Sequence, residues 1–397
     1  MKISPRVEAI QASATVVVNQ KAQKLRQQGF EILNFTVGES DFPTPAPVID
    51  ATIQALKDGR TKYGSPGGGG ALLEAFCKKL QRENRLDYQV DEVVAGCGAK
   101  ELIFHCLLAT ISEGDEVILQ APYWPSYISQ IKAAGGKPVI IPHSLPEQNL
   151  TVESLEKYSS PRTKGILFNT PHNPTGYVFG ESELKALGAY LKAKPWWIFS
   201  DEIYEYLCFS QPHLSLLNTT PELRDRVAVI TGLSKGFSMT GYRVGLMAGP
   251  KELVGAVRKL QTHSTTCLPG FIEEAATFAL DQGVTLVREN LEILKDRHRV
   301  AVKLAEELPG VDFVTPGGAF YIYLDLRSWL AETRLGNERS SLEFCEKLLD
   351  QHKMAVVPGE AFGTPGFVRM SFAQEEKLLN HGFEILNQAL KSPHFWN

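Results

Sequence analysis

No apolar run among the 397 residues approaches the roughly 18 needed to span a bilayer; the longest, 102–111, is short and contains His105. The first eleven residues lack the apolar stretch and cleavage site of a secretory signal. A large excess of one charge is missing too. Lys plus Arg number 41 and Asp plus Glu 45, for a net charge of −4, which argues against a surface built for nucleic acid or anionic membrane. The six cysteines, Cys77, Cys97, Cys106, Cys208, Cys267 and Cys345, form no C-x-x-C pair and keep no framework spacing. Free thiols in a reducing compartment are therefore expected, and a cytoplasmic location with them. The nine histidines form no H-E-x-x-H and no Cys/His cluster, so no zinc site is expected. Internal repeats are absent. Hydrophobic residues at 43% and charged residues at 22% lie close to globular averages, which excludes a disordered chain. The length exceeds the ~250–300 residues at which single cores stop growing, so two domains or one large elaborated domain is expected.

What is present is a series of short apolar runs: 93–96, 117–120, 138–141, 165–168, 196–199, 227–231 and 244–248. They are rich in Val and Ile and lack polar alternation, as strands buried on both faces of a mostly parallel sheet do. Helical patterns over 100–111 and 181–192 separate some of them. Strand alternating with helix predicts an α/β doubly wound layer. After about residue 285 the texture changes to an α+β pattern: a long charged helix over 284–307, strands near 311–314, 319–325, 355–357 and 368–372, and helices over 341–351 and 374–390. The first forty residues hold a helix over 17–28 and a short strand over 32–36, too little for a domain alone. They are expected to pack on the C-terminal unit.

In open α/β sheets ligands bind beyond the carboxyl ends of the strands. Four strand ends present chemistry there: Gly98-Ala99-Lys100 opening a helix, Asn169-Thr-Pro-His-Asn173-Pro-Thr-Gly176, Ser200-Asp201-Glu202-Ile203-Tyr204, and Gly232-Leu-Ser234-Lys235-Gly236. The start of a helix with small residues and free N–H groups suits a phosphate, though it also fits a plain strand-to-helix turn. The glycine run 67–70 lacks the phosphate-loop pattern and reads as a flexible turn before a helix over 71–80. Residues 232–236 also match G-x-S-x-G, the nucleophile elbow of α/β-hydrolases, with His352 and His381 downstream. An elbow is followed by a helix, however, and here turn signals and another strand follow. The better centre is Lys235. A lysine at a strand end, facing a carboxylate, can form a Schiff base with an aldehyde. An aldehyde cofactor with a phosphate and a pyridine nitrogen uses every group in the constellation, and that cofactor is pyridoxal 5′-phosphate.

The segment Ser234-Lys-Gly-Phe-Ser-Met-Thr-Gly-Tyr-Arg-Val-Gly245 resembles the lysine signature of class I, fold type I aminotransferases. Asn173-Pro-Thr-Gly176, Ser200-Asp-Glu-Ile-Tyr204, Gly38-Glu-Ser-Asp-Phe42, Thr61-Lys-Tyr63, Pro122-Tyr-Trp124, Pro316-Gly-Gly-Ala-Phe320 and Val368-Arg-Met-Ser371 are similar to further blocks of that family, in family order. The resemblance implies a large domain with a seven-stranded, mostly parallel sheet flanked by helices, and a smaller α+β domain made from both chain ends. Residues 1–42 are then an N-terminal arm and part of the small domain, 43–284 the cofactor domain, and 285–397 the C-terminal small domain. It also implies roles. Lys235 holds the cofactor aldehyde and shuttles a proton; Asp201 pairs with the pyridinium nitrogen; Tyr204 and Asn173 bond the ring oxygen; Trp124 stacks on the ring. Ser234, Arg243 and the amides at Gly98, Ala99 and Lys100 take the phosphate. Tyr63 reaches the phosphate of a neighbouring subunit, which implies a homodimer with shared sites. Arg369 binds the substrate α-carboxylate as a fork, a job lysine does poorly, and Gly38 lets the backbone approach the substrate.

The pattern is most similar to the bacterial aspartate aminotransferase subgroup, some members of which also use prephenate. In that subgroup the lysine aligned with Lys100 reads a distal carboxylate, and an arm like the stretch beginning at Ser13 closes over the site. Ser40, Ala99 and Glu101 depart from the residues common there. The resemblance implies ping-pong transfer between an amino acid and a 2-oxo acid, with aspartate and 2-oxoglutarate as the leading pair. Aromatic, alanine or prephenate-type substrates, or a lyase of the same fold, are the alternatives.

Overall fold

A computed structural model describes residues 2–8, 10, 14–142, 150–332 and 340–396. The middle of the chain forms a seven-stranded sheet. Its strands are Val93–Cys97 (β1), Glu116–Gln120 (β2), Lys137–Ile141 (β3), Thr163–Asn169 (β4), Trp197–Asp201 (β5), Val227–Gly232 (β6) and Val244–Ala248 (β7). Each falls within two residues of an apolar run expected as strand. Their order across the sheet is β1-β7-β6-β5-β4-β2-β3. All neighbours are parallel except β7, which runs antiparallel to both β1 and β6.

The lack of polar alternation has a direct structural cause. Alternate residues of each strand enter two separate cores, one on each face of the sheet. Val93, Ala95, Ile166, Ile198, Val227 and Val229 join Leu72, Phe76, Leu184 and Leu187 on one face. Val94, Val117, Leu167, Phe199, Ala228 and Ile230 join Leu102, Cys106, Leu253 and Val257 on the other. Both faces are dry, so neither strand face tolerates a polar residue without a partner.

A second sheet, four-stranded, is built from Asp312–Phe313 (β8), Tyr321–Asp325 (β9), Val357–Pro358 (β10) and Phe367–Ser371 (β11), in the order β10-β11-β9-β8. The helices Arg288–Glu306 and Glu376–Lys391 pack with it in one apolar cluster. Leu294, Ala301 and Ala305 on the first, and Leu379, Phe383, Leu386 and Leu390 on the second, keep the three-to-four spacing of a single buried helix face. The chain start docks here, as anticipated. Leu33–Asn34 pairs in parallel with Met354–Ala355, Ser371 N–H donates to the Phe35 carbonyl at 3.0 Å, and Phe35 is buried in the same cluster. Ser13, where the proposed closing arm begins, lies outside the described residues.

Three local expectations change. The glycine run is a turn before a helix, but not a loose one. Gly67 and Gly68 are buried with φ of 83° and 102°, and the Gly67 carbonyl accepts from Ala95 N–H at 2.8 Å. A Cβ on Gly67 would meet Arg258 Cγ at 2.7 Å, so these glycines permit close backbone approach. The strand expected from residue 319 begins at Tyr321, because Ala319 takes a left-handed φ of 58°. The strand expected over 355–357 splits in two, one half pairing with the chain start and the other with β11. Among the helices that the sequence reading does not assign are Ala46–Lys57, Ser126–Ala133, Lys251–Thr262 and Gly270–Gln282. Each is preceded by a proline, Pro45, Pro125, Pro250 or Pro269, a start signal available in the sequence. No helix of the described residues is long and apolar enough to cross a membrane.

Candidate active site

Strand register sets the site. Asn169 at the end of β4 pairs with Asp201 at the end of β5, and Asp201 with Ile230 near the end of β6. Cys97 at the end of β1 pairs with Val244, the first residue of β7. Because β7 is antiparallel, its start lies at the same edge as the other strands' ends, and that brings Arg243 there. Gly245 sits directly against the turn that opens the helix Ala99–Thr110: a Cβ on it would meet the Gly98 carbonyl carbon at 2.2 Å.

A cavity of about 590 Å³ opens at this edge. Gly38, Ala99, Lys100, Trp124, Asn173, Asp201, Tyr204, Ser234, Lys235, Arg243 and Arg369 all line it. Gly98 lies beneath Arg243; with φ at 87°, a Cβ there would meet Arg243 Nη2 at 2.4 Å. Tyr63 is not among the lining residues and is 90% exposed. No histidine among the described residues lines the cavity, and Ser234 is followed by a turn rather than a helix. Both facts remove the hydrolase reading.

Three acids stand at or just past the end of β5 with side chains that are nearly covered: Asp201, Glu202 and Glu205. Glu202 accepts from Ser200 Oγ at 2.7 Å and Ser215 Oγ at 2.8 Å, and pairs with His213 Nε2 at 2.8 Å. Glu205 accepts from Lys79 Nζ at 2.5 Å, Asn84 Nδ2 at 2.7 Å and Thr231 Oγ1 at 2.5 Å. Asp201 has only neutral donors among the described residues, Tyr127 Oη at 2.6 Å and Ile203 N–H at 3.2 Å. Burial pushes its carboxyl up to about 6, against the two hydrogen bonds and the charge of Lys235. A buried carboxylate without a bonded cation, aimed into a cavity, fits a cationic ring nitrogen.

Lys235 donates its Nζ to the Gly38 carbonyl. Burial pulls its amine down to about 8; Arg369 and Arg243 lower it further, while Glu39 and Asp201 oppose them. The neutral, nucleophilic form therefore exists at working pH. In the cofactor-free protein, fluorodinitrobenzene labelling of Lys235, followed by mass spectrometry, should rise through pH 8 and level off above it. Its neutral fraction at pH 8 is roughly 100-fold that of an ordinary lysine. A labelling midpoint near 10.5, the ordinary lysine value, would disprove the depression.

Arg369, in the middle of β11, is 4% exposed. Its Nη1 donates to Asn173 Oδ1 at 2.9 Å and its Nη2 to the Thr36 carbonyl at 2.8 Å. The guanidinium lies over the rings of Tyr321 at 4.2 Å and Phe362 at 5.0 Å. Its Nε is buried without a partner among the described residues, a donor held ready for an anion. Asn173 is itself pinned: its N–H donates to Asn169 Oδ1 at 2.8 Å, and Asn169 Nδ2 donates to the Asp201 carbonyl at 2.8 Å. Arg243 bonds two carbonyls, Thr240 at 3.1 Å and Cys97 at 3.4 Å, and no carboxylate among the described residues. Lys100 places Nζ 4.7 Å from the Trp124 ring centroid. Glu101 turns back instead, accepting from Cys97 N–H at 2.5 Å. Groups of the kinds that suit the phosphate, aldehyde, ring nitrogen and ring face of pyridoxal 5′-phosphate thus line one cavity.

Sequence reasoning missed two lining tyrosines. Tyr127 bonds Asp201, and Tyr321 Oη lies 2.9 Å from Tyr204 Oη. Tyr321 directly follows a recognised block, and Tyr127 stands three residues past Trp124, one helical turn on.

Comparison with known proteins agrees with this geometry. The family "Aminotransferase class I and II" matches residues 31–386. The aspartate aminotransferase of Geobacillus stearothermophilus is 37% identical, over 99% of this chain and all of the relative. The aspartate/prephenate aminotransferase of Nitrosomonas europaea is also 37% identical, over 94% of this chain and 96% of its own length. Among solved structures, the aspartate aminotransferase of Rhizobium meliloti superposes with a TM-score of 0.93 at 31% identity, covering 98% of this chain and 99% of that one. That of Thermus thermophilus with maleate gives 0.90 at 34% identity, with 98% and 99% covered. The chain belongs to the class I and II aminotransferases, enzymes that use pyridoxal 5′-phosphate.

Proposed function

We propose that this aminotransferase moves the amino group of aspartate to 2-oxoglutarate in two half-reactions at one site. The observation that carries the reading is a pair of cations on different elements of one cavity. Arg369 holds an unpaired Nε at depth, and Lys100 stands at the start of the helix Ala99–Thr110 without a bonded acid among the described residues. Partial desolvation, then the charge of Arg243, holds the Lys100 amine below its ordinary value. A second carboxylate on the substrate relieves both. A relative named aspartate aminotransferase at 37% identity, and a Thermus thermophilus relative solved with the dicarboxylate maleate, support this choice.

The residues divide the work as follows. When bound, pyridoxal 5′-phosphate supplies an aldehyde to take the amine and a ring to draw electrons from the α-carbon. Lys235 Nζ takes the proton from the α-carbon and returns it on the other side of the reaction. Asp201 keeps the proton on the ring nitrogen. Tyr204 and Asn173 bond the ring oxygen, and Trp124 covers the ring face. Ser234, Arg243 and the amides of Gly98, Ala99 and Lys100 fix the phosphate. Arg369 grips the α-carboxylate through two N–H groups, which sets the angle of the bond to be broken, while Gly38 leaves room beside it. Tyr63, exposed on its own chain, serves the phosphate of a second copy. Ile49, Ile53 and Leu56, on one stripe of the helix Ala46–Lys57, are 39%, 45% and 45% exposed, and that apolar stripe supports a homodimer.

The test is a half-reaction panel: mix the pyridoxal form with each amino acid and record the spectral change. Aspartate and glutamate should react fastest, and glutamate should form when 2-oxoglutarate is added. Ammonia release without glutamate would replace this reading with a lyase. The relative named aspartate/prephenate aminotransferase, at equal identity, supports a second reading in which prephenate also accepts the amine; adding it to the aminated form tests that directly. Lys100→Ala should lower kcat/KM for aspartate about 10- to 100-fold, the worth of a charge-assisted hydrogen bond, and leave alanine within about threefold. Equal losses would remove Lys100 from substrate recognition.

A further inference from the structure

Asp201 is the acid on which the reading above places the ring nitrogen, and the inference here rests on that reading. Its carboxylate has one side-chain donor among the described residues, Tyr127 Oη at 2.6 Å. Both groups are buried. Burial, then the charge of Asp201, pushes the Tyr127 phenol well above its ordinary value, so it remains an O–H donor across the working range. The same ring meets Trp124 edge to face, with centroids 5.3 Å apart and planes at 79°. Tyr127 lies one turn past Trp124 and donates its N–H to the Trp124 carbonyl at 3.0 Å. A single side chain therefore touches the group proposed for the edge of the cofactor ring and the group proposed for its face.

We propose that Tyr127 is a positioning residue: its hydroxyl orients Asp201 and keeps it ionised toward the ring nitrogen, while its ring sets the plane of Trp124. The physical need is plain. Asp201 is buried without a bonded cation, unlike Glu205 with Lys79. A carboxylate there must be held by donors or take up a proton, and a protonated Asp201 cannot keep a proton on the ring nitrogen. The backbone N–H of Ile203, at 3.2 Å on the other oxygen, is a longer contact. Without Tyr127 one oxygen loses its bonded donor, and the shared proton moves toward the carboxylate.

Tyr127→Phe keeps the contact with Trp124 and deletes the bond. Three readouts distinguish it from a packing change. In holoenzyme carrying ring-¹⁵N cofactor, the nitrogen resonance should move from the protonated toward the unprotonated range. The dissociation constant for pyridoxal 5′-phosphate, titrated into apoenzyme, should rise about tenfold. The kcat should fall about 10- to 100-fold with KM for both substrates within about threefold; these sizes are those of one hydrogen bond to a charged group. An unchanged ¹⁵N shift and dissociation constant would overturn the proposal. If the phenylalanine variant does not fold, the comparison is made between Asp201→Asn and Asp201→Asn/Tyr127→Phe, where no carboxylate is stranded. Equal dissociation constants then support it, and a further tenfold loss overturns it, because a structural role adds in full where a shared one does not. A wild-type ring nitrogen in the unprotonated range would instead overturn the pairing with Asp201 itself.

Discussion

Lys235→Ala lowers kcat for transamination by at least about 10⁴-fold, the upper range for losing a positioned general acid–base and here combined with loss of the covalent anchor. The variant is expected to fold. Its amine is costly to bury as a charge, which is why burial lowers it to about 8, and alanine removes that cost along with one hydrogen bond to Gly38. Thermal unfolding should therefore stay within a few degrees of wild type while turnover vanishes. Lys100, the other lysine of the cavity, is turned over Trp124 and does not substitute. Single-turnover kinetics with aspartate, on protein loaded with cofactor, is the measurement. Activity within tenfold of wild type would sink the assignment of Lys235.

Arg369→Lys comes next in size. Removing one partner of a buried charge pair costs about 2–5 kcal/mol, or roughly 30- to 3,000-fold in kcat/KM at about 1.4 kcal/mol per tenfold. Lysine cannot present the fork, and it strands Asn173 Oδ1 and the Thr36 carbonyl, both bonded by the guanidinium. The loss should be equal for aspartate, glutamate and alanine, since all carry the α-carboxylate. That uniformity separates Arg369 from Lys100, whose replacement is expected to discriminate between donors. Steady-state kinetics on three donors reads it, and a loss confined to dicarboxylic donors would exchange the two roles.

Several groups that line the cavity were readable in the sequence for a physical reason. Lys235, Asp201 and Asn173 each sit at or within four residues past the end of an apolar strand buried on both faces, and in an α/β sheet those ends are where ligands lie. The edge position of Arg243 depends on β7 running antiparallel, which no local pattern of residues 244–248 states. The family blocks supplied it instead. Tyr127 and Tyr321 stayed hidden because their meaning lies in partners 74 and 117 residues away. A buried hydroxyl looks the same in sequence whether it serves a core or a carboxylate. The glycine run at 67–70 was misread for the same reason: its neighbours, Val94, Ala95 and Arg258, belong to other elements. Hydrophobic period shows which face is buried but not what it is buried against.

The pairing of Leu33–Asn34 with Met354–Ala355 has a consequence for synthesis. Most of the groups proposed to surround the cofactor, from Gly98 to Arg243, belong to contiguous chain and can assemble while the ribosome is still working. The proposed α-carboxylate grip cannot. Arg369 bonds the Thr36 carbonyl across 333 residues, so the early strand must wait, unpaired, until nearly the whole polypeptide has emerged. Contacts this distant are slow to close, and the early strand is exposed to wrong partners for that interval. The order of manufacture is thus written into the topology: the pocket proposed for the cofactor first, the proposed hold on the substrate last.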